Sequence, residues 1–157
     1  MERVPMTRQG AATLKETVAY LKGEKRHKIV ATIEEARAHG DLSENAEYHA
    51  AKEEQGMNEA RVKDIEDKIA RAQIIDPASI KSEKIVFGAT VELIDVNEET
   101  EITYQIVGVD EADIEQGKIS ITSPMARAMI GKEEGDVAAV QAPGGEREYE
   151  IQSIQYV

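Results

Sequence analysis

Two apolar stripes with helical spacing, separated by a very short turn, constrain the N-terminal half of this chain more than any other feature. Leu14, Val18, Leu21, Ile29, Ile33 and Ala36 recur mostly at steps of three or four, the helical period. A second stripe follows with Ala51, Val62, Ile65, Ile69 and Ala72. Val18 to Ile29 and Ala51 to Val62 are each eleven residues apart, a spacing that locally removes left-handed supercoil. Gly40 supplies a helix stop, because glycine readily takes the left-handed conformation past a C-cap. A connection as short as Gly40–Ser43 forces the two helices into an antiparallel coiled-coil hairpin. Thr7 is the expected N-cap of the first helix, which runs to His39 as a rod of about 48 Å at the α-helical rise. Near the turn the residues are small: Ala31, Ala36, Ala38, Ala46, Ala50 and Ala51. A thin distal end buries little, so the hairpin suits reach, although a hairpin that dimerises along its length fits the same pattern.

The period changes after Asp76-Pro77-Ala78-Ser79, which breaks the second helix at about Ala72. Val86–Val96, Ile102–Val109, Ile119–Ile121, Val137–Val140 and Tyr149–Ile154 are rich in β-branched residues and read as strands. Pro143-Gly144-Gly145 is a turn between the last two. Ser123-Pro124 is an N-cap with a first-turn proline, opening a short helix over Met125–Ile130 that Gly131 ends. The fold class is therefore α+β: a helical hairpin over 1–76, then a small antiparallel sheet with one short helix over 80–157.

Charge narrows the partners. The 157-residue chain has a formal net charge of −12, and the imbalance lies mostly after residue 80, with 6 basic against 16 acidic residues there. Such a chain does not hold bare duplex DNA tightly, because phosphate binding needs a cationic surface. The absence of cysteine excludes disulfides and thiolate metal sites. The N-terminal residues lack the apolar core of a signal peptide, and no apolar run has the length of a membrane span, so a cytoplasmic protein without a membrane partner is expected.

The chemistry concentrates in His39-Gly40-Asp41-Leu42-Ser43-Glu44-Asn45-Ala46-Glu47-Tyr48-His49, at the end of the rod. Asp41 and Glu44 are three apart at the start of a helix, so their carboxylates can converge. Three readings compete. Asp41 as N-cap with Glu44 three residues on is a capping-box arrangement. His39, Asp41, Glu44 and His49 are chemically suited to zinc, but at a spacing that matches no established signature. Asp41 and Glu44 also make half of a Mg²⁺ site, since Mg²⁺ takes one or two protein carboxylates, keeps waters and shares substrate phosphates.

The stretch Gly40-Asp41-Leu42-Ser43-Glu44-Asn45-Ala46-Glu47-Tyr48 resembles the tip of the bacterial GreA-type transcript cleavage factors. The resemblance continues through Phe87-Gly88-Ala89-Thr90-Val91, Ser123-Pro124-Met125-Ala126-Arg127, Ile130-Gly131-Lys132-Glu133 and Pro143-Gly144-Gly145-Glu146, nearly the whole chain in order. It implies a coiled coil that enters the secondary channel of bacterial RNA polymerase and an FKBP-like C-terminal domain that docks at the channel mouth. It also implies that Asp41 and Glu44 are the catalytic acids, bringing a second Mg²⁺ to the polymerase active centre beside the 3′ end of a backtracked RNA. The protein is then a catalytic cofactor with no nuclease activity of its own.

Around the acids, Ser43 and Asn45 can hydrogen-bond RNA or polymerase, or cap the turn. Tyr48 can stack on a displaced base or pack within the hairpin. Arg37 and Lys52 can steer RNA phosphates, and Lys25-Arg26-His27-Lys28 forms a basic cluster; such runs are usually solvated helix faces. By the same resemblance Ser123, Pro124 and Met125 mark the polymerase-docking segment. An FKBP-like fold also raises a prolyl isomerase, which needs an aromatic, apolar pocket. After residue 80 the aromatics are only Phe87, Tyr104, Tyr149 and Tyr156, which speaks against it. A scaffold that tethers partners without chemistry is the third class.

Overall fold

The structure, a computed structural model, describes residues 2–40 and 44–157. The chain divides into two compact units: Ala11–Ala72 with Glu2 in one, Arg3–Gly10 with Gln73–Val157 in the other. Residues 3–10 and 73–76 thus cluster with the β-rich unit rather than with the hairpin where the sequence boundary at 76–80 put them.

The first unit is built from helices α1 (Arg8–Lys22), α2 (Glu24–Arg37) and α3 (Ala46–Ala70). Leu21, Val62 and Ile65 are buried together, with Leu14, Val18 and Ile69 packed against them. Burying each such side chain stabilises by roughly 1.5–3 kcal/mol. The ion pairs Lys22–Glu66 (3.1 Å) and Arg26–Glu59 (2.8 Å) cross the same antiparallel seam. They are half exposed, and pairs of that kind contribute at most about 1 kcal/mol. The apolar seam therefore dominates. Nearer the turn the buried residues are the small Ala36 and Ala51.

Two expectations for this unit change. The first helix is not continuous: it breaks at Gly23, with φ −101° and ψ −93°, and re-forms at Glu24. The eleven-residue spacings are not true eleven-residue repeats either. Asn58 lies on the second stripe seven residues after Ala51 and four before Val62, and it is only 4% exposed. Lys25, half-buried, occupies the corresponding gap between Leu21 and Ile29. Both stripes are regular, each with one polar member.

Helix α3 ends at Ala70 because the chain then extends into β2 (Ala72–Ile75), which pairs with β1 (Val4–Thr7) in a two-stranded sheet. Neither strand was expected. Thr7 caps α1 as anticipated, its hydroxyl accepting from the Gly10 N–H at 3.0 Å.

The second unit is centred on a five-stranded sheet of β3 (Thr90–Asp95), β4 (Glu101–Val107), β5 (Lys118–Ser120), β6 (Val137–Ala142) and β7 (Gly145–Gln155). The strand order is β5-β4-β3-β7-β6. Neighbours are antiparallel except β5, which runs parallel to β4 after two short 3₁₀ turns reverse the chain. Alternation sorts the faces: Val91 and Leu93 point into the core while Glu92 is exposed. Helix α4 (Pro124–Met129), capped by the Ser123 hydroxyl accepting from the Ala126 N–H at 3.2 Å, buries Ala126 and Met129 against that core. Ala142 pairs with Gly145, so Pro143-Gly144 is a two-residue hairpin loop, and Gly145 takes φ +119°, a value that favours glycine. The strand expected from Val86 starts only at Thr90, because Gly88 at φ +92° bends the chain and delivers Phe87 to the core.

Candidate functional site at the hairpin turn

The start of α3 is set by Asn45, whose backbone is extended and whose side-chain oxygen accepts from the Tyr48 N–H at 3.0 Å. Its amide nitrogen donates to the Ala36 carbonyl at 2.6 Å, near the end of α2. One side chain thus caps the second helix and ties it to the last turn of the first. The capping-box expectation is overturned here: the cap is Asn45, and Glu44 stands just before it, outside the helix. The expected convergence of Asp41 and Glu44 involves a residue outside those described; Glu44 itself precedes the cap of α3. Glu44 is exposed. Asp41 and Ser43 lie outside the described residues.

Asn45→Ala removes both bonds. The expected cost is about 1–2 kcal/mol, the upper range for a lost N-cap. Hydrogen exchange should show it as lost protection at the Tyr48 amide, with the distant seam at Leu21 and Val62 unchanged.

The remaining residues near the turn divide. Tyr48 is half-buried, and its ring meets that of His49 edge-on, centroids 5.5 Å apart. Arg37 is exposed in the last turn of α2, where a cation also complements the helix dipole. Lys52 reaches Gln55 at 3.1 Å. In the basic cluster, Arg26 bonds Glu59 and Lys28 pairs with Glu24 at 3.4 Å, which fits a solvated helix face. Among the described residues no group of three or more His, Cys, Asp and Glu side chains is placed to hold a metal. Asp41, a member of the zinc reading, is not among them.

In the β-rich unit, Ser123 is the cap of α4, Pro124 is exposed and Met125 is half-buried against the core. The exposed surface of this segment is therefore Pro124 with Arg127 and the neighbouring Ile130, which is 39% exposed. Burial raises the pKa of the Tyr104 hydroxyl, and the nearby Tyr149 adds to the shift. Two residues escaped the sequence reading. Asn58 was detectable as the polar residue at the heptad position inside the gap of its stripe. Glu111, described below, gave no local signal.

Residues 4–74 match the family described as transcription elongation factor, N-terminal, and residues 80–156 the one described as transcription elongation factor, GreA/GreB, C-terminal. The chain belongs to the GreA/GreB family of transcription elongation factors. Among similar members, the transcription elongation factor GreA of Alkalilimnicola ehrlichii is 57% identical over 157 residues, covering 99% of each chain. GreA of Methylococcus capsulatus is 58% identical over 158 residues, covering 100% of each. A solved structure of the GreA factor homolog 1 protein of Thermus thermophilus is 29% identical, covering 98% of this chain and 99% of that one, with a TM-score of 0.44. Within the GreA/GreB frame, the hairpin turn is the N-terminal half's candidate site, and Glu44 its described acid.

Proposed function

We propose that this GreA/GreB-family chain stimulates RNA polymerase's own endonucleolytic cleavage of backtracked RNA, with its hairpin in the secondary channel and Asp41 and Glu44 at the active centre. The reading rests chiefly on Glu44: an exposed carboxylate at the turn, relieved of helix capping by Asn45. An acid not needed by the fold is available for chemistry in a partner's site.

Carboxylate oxygens are hard donors and fit Mg²⁺, and two of them leave most of an octahedral shell to water, RNA phosphate and polymerase. A second cation at such a site activates water and stabilises charge in phosphodiester cleavage. The part of this chain is to carry the carboxylates to the RNA and orient the water through their oxygens. In the cytoplasm, the polymerase and the nascent RNA 3′ end are then the partners, and the isolated chain has no nuclease activity. Among the described residues no helix is long and apolar enough to cross a membrane. Against prolyl isomerase activity, Phe87 belongs to the core and the Tyr156 hydroxyl is held by the Lys84 carbonyl at 2.6 Å and the Val86 N–H at 3.0 Å. Those aromatics are committed to packing rather than to a ligand pocket.

The direct test is a purified backtracked elongation complex: addition of the chain shortens RNA from its 3′ end, and the chain without polymerase leaves RNA intact. Metal dependence refines it. The free protein should bind Mg²⁺ weakly, because the positive end of α3 opposes a cation beside Glu44. Asp41→Asn should regain part of its cleavage when Mg²⁺ is raised or Mn²⁺ replaces it. Micromolar Mg²⁺ affinity in calorimetry of the free chain would contradict a shared site.

A further inference from the structure

The polar members of the two hairpin stripes meet at one place. Lys25 and Asn58 line a single cleft of about 350 Å³, together with Ala50, Met57 and Arg61. Asn58 is buried, and its amide nitrogen donates to the Leu21 carbonyl at 3.0 Å. Among the described residues its side-chain oxygen has no hydrogen-bond partner. Leu21 stands two residues before the helix break at Gly23. The seam is therefore interrupted on both helices at the level where the first helix breaks.

An amide in this position is a poor choice for stability. A buried acceptor without a partner carries a desolvation cost, and leucine at the same stripe position would bury apolar surface. The best-attested use of a polar residue in a coiled-coil seam is register. Apolar side chains pack against neighbours one turn away nearly as well as against their own. Asn58 does not have that freedom, because sliding by one turn removes its N–H from the Leu21 carbonyl. Lys25 adds to the restriction, since in this register it lines the cleft beside Glu53 and Glu54, and a slipped register removes a charged side chain from that polar surrounding.

We propose that Asn58 is a positioning residue that locks the register of the helical hairpin, and through it the placement of the acidic turn. The functional half of this proposal rests on the cleavage reading above; the register half does not. Asn58 touches neither RNA nor metal and acts through α3.

The chain has no cysteine, so two introduced cysteines report cleanly. Spin labels at Glu34→Cys and Glu47→Cys, both exposed and on α2 and α3, read the register as a distance distribution. The parent should give one narrow distance. Asn58→Leu should raise the melting midpoint yet add a second population displaced by about 5 Å, one helical turn. Its stimulated cleavage at saturating factor should fall to about the fraction of molecules that keep the parental distance, since small misplacement of a catalytic group costs on the order of 10²-fold. Asn58→Ala, which introduces no bulk, should broaden the distance in the same way and decides the matter if the leucine variant does not fold. A single parental distance in the variants overturns the proposal. Broadened distances with undiminished cleavage overturn its functional half. A parent that stimulates no cleavage removes the cleavage reading itself, and the distance measurement still decides register.

Discussion

Glu44→Ala and Asp41→Ala variants should bind polymerase as the parent does and release almost no RNA fragment from a backtracked complex. For Glu44 the structural argument is direct. The side chain is exposed, precedes the helix and leaves the capping of α3 to Asn45. Its removal should therefore change stability by no more than about 0.5 kcal/mol, as for ordinary surface positions. Loss of a contact made to the reacting centre acts on a different scale, on the order of 10²–10³-fold in rate. Fold and chemistry are thus separable at this position in one experiment: melting curves that overlay those of the parent, beside cleavage time courses that are flat. For Asp41 the expectation rests on the family resemblance of the tip. Parental cleavage by either variant would remove the shared-metal reading. Loss of polymerase binding together with cleavage would instead make the acids docking residues.

The features legible in the sequence are those whose cause is local. Ser123-Pro124 announces a helix start because a hydroxyl cap and a proline lacking an N–H belong together, and α4 begins there. Pro143-Gly144 marks the β6–β7 turn, since it falls between alternating apolar strands. Thr7 is a cap for the same local reason. What escaped depends on partners far along the chain. Val4–Thr7 and Ala72–Ile75 are four residues each, and they are strands only because they pair with one another. Ala72 also continued the helical spacing, which carried the second helix too far. At the turn, Asp41, Ser43 and Asn45 are all good capping residue types, and short-range chemistry does not choose among them. Asn45 is chosen by its bond to Ala36, nine residues earlier. Of the readings left open at the turn, capping by Asn45 is the one the structure shows, and Asp41 is not the cap of α3. The break at Gly23 was hidden by the helix formers around it, and the gap in the stripe that marked it looked like a change of supercoil.

Glu111→Ala should destabilise the β-rich unit by about 3 kcal/mol, and Gly10→Ala by a similar amount for a related reason. The Glu111 carboxylate accepts from the Thr7 N–H at 3.0 Å, from the Gly108 N–H at 2.8 Å and from the Thr7 hydroxyl. The Thr7 oxygen in turn accepts from the Gly10 N–H. Thr7 is buried, as is Met6 beside it, so donors left without an acceptor here are not rescued by solvent. Hydrogen bonds to a charged group contribute about 1.5–3 kcal/mol each and are not additive within one network, which sets the estimate. Gly10 is the complementary element. A Cβ on it would overlap the Glu111 carboxylate, so alanine must displace the acid and lose the same bonds. The two substitutions are therefore coupled, and the coupling has a sign that can be checked. With Glu111 already reduced to alanine, the space at Gly10 opens, and alanine is about 1 kcal/mol better than glycine inside a helix. Gly10→Ala should then turn from damaging to neutral or stabilising. Calorimetry of the parent, both single variants and the double variant measures this cycle, with hydrogen exchange at the Thr7 and Gly108 amides as the local readout. Additive losses in the double variant would mean that the two residues act independently and that Glu111 is not what requires glycine at position 10.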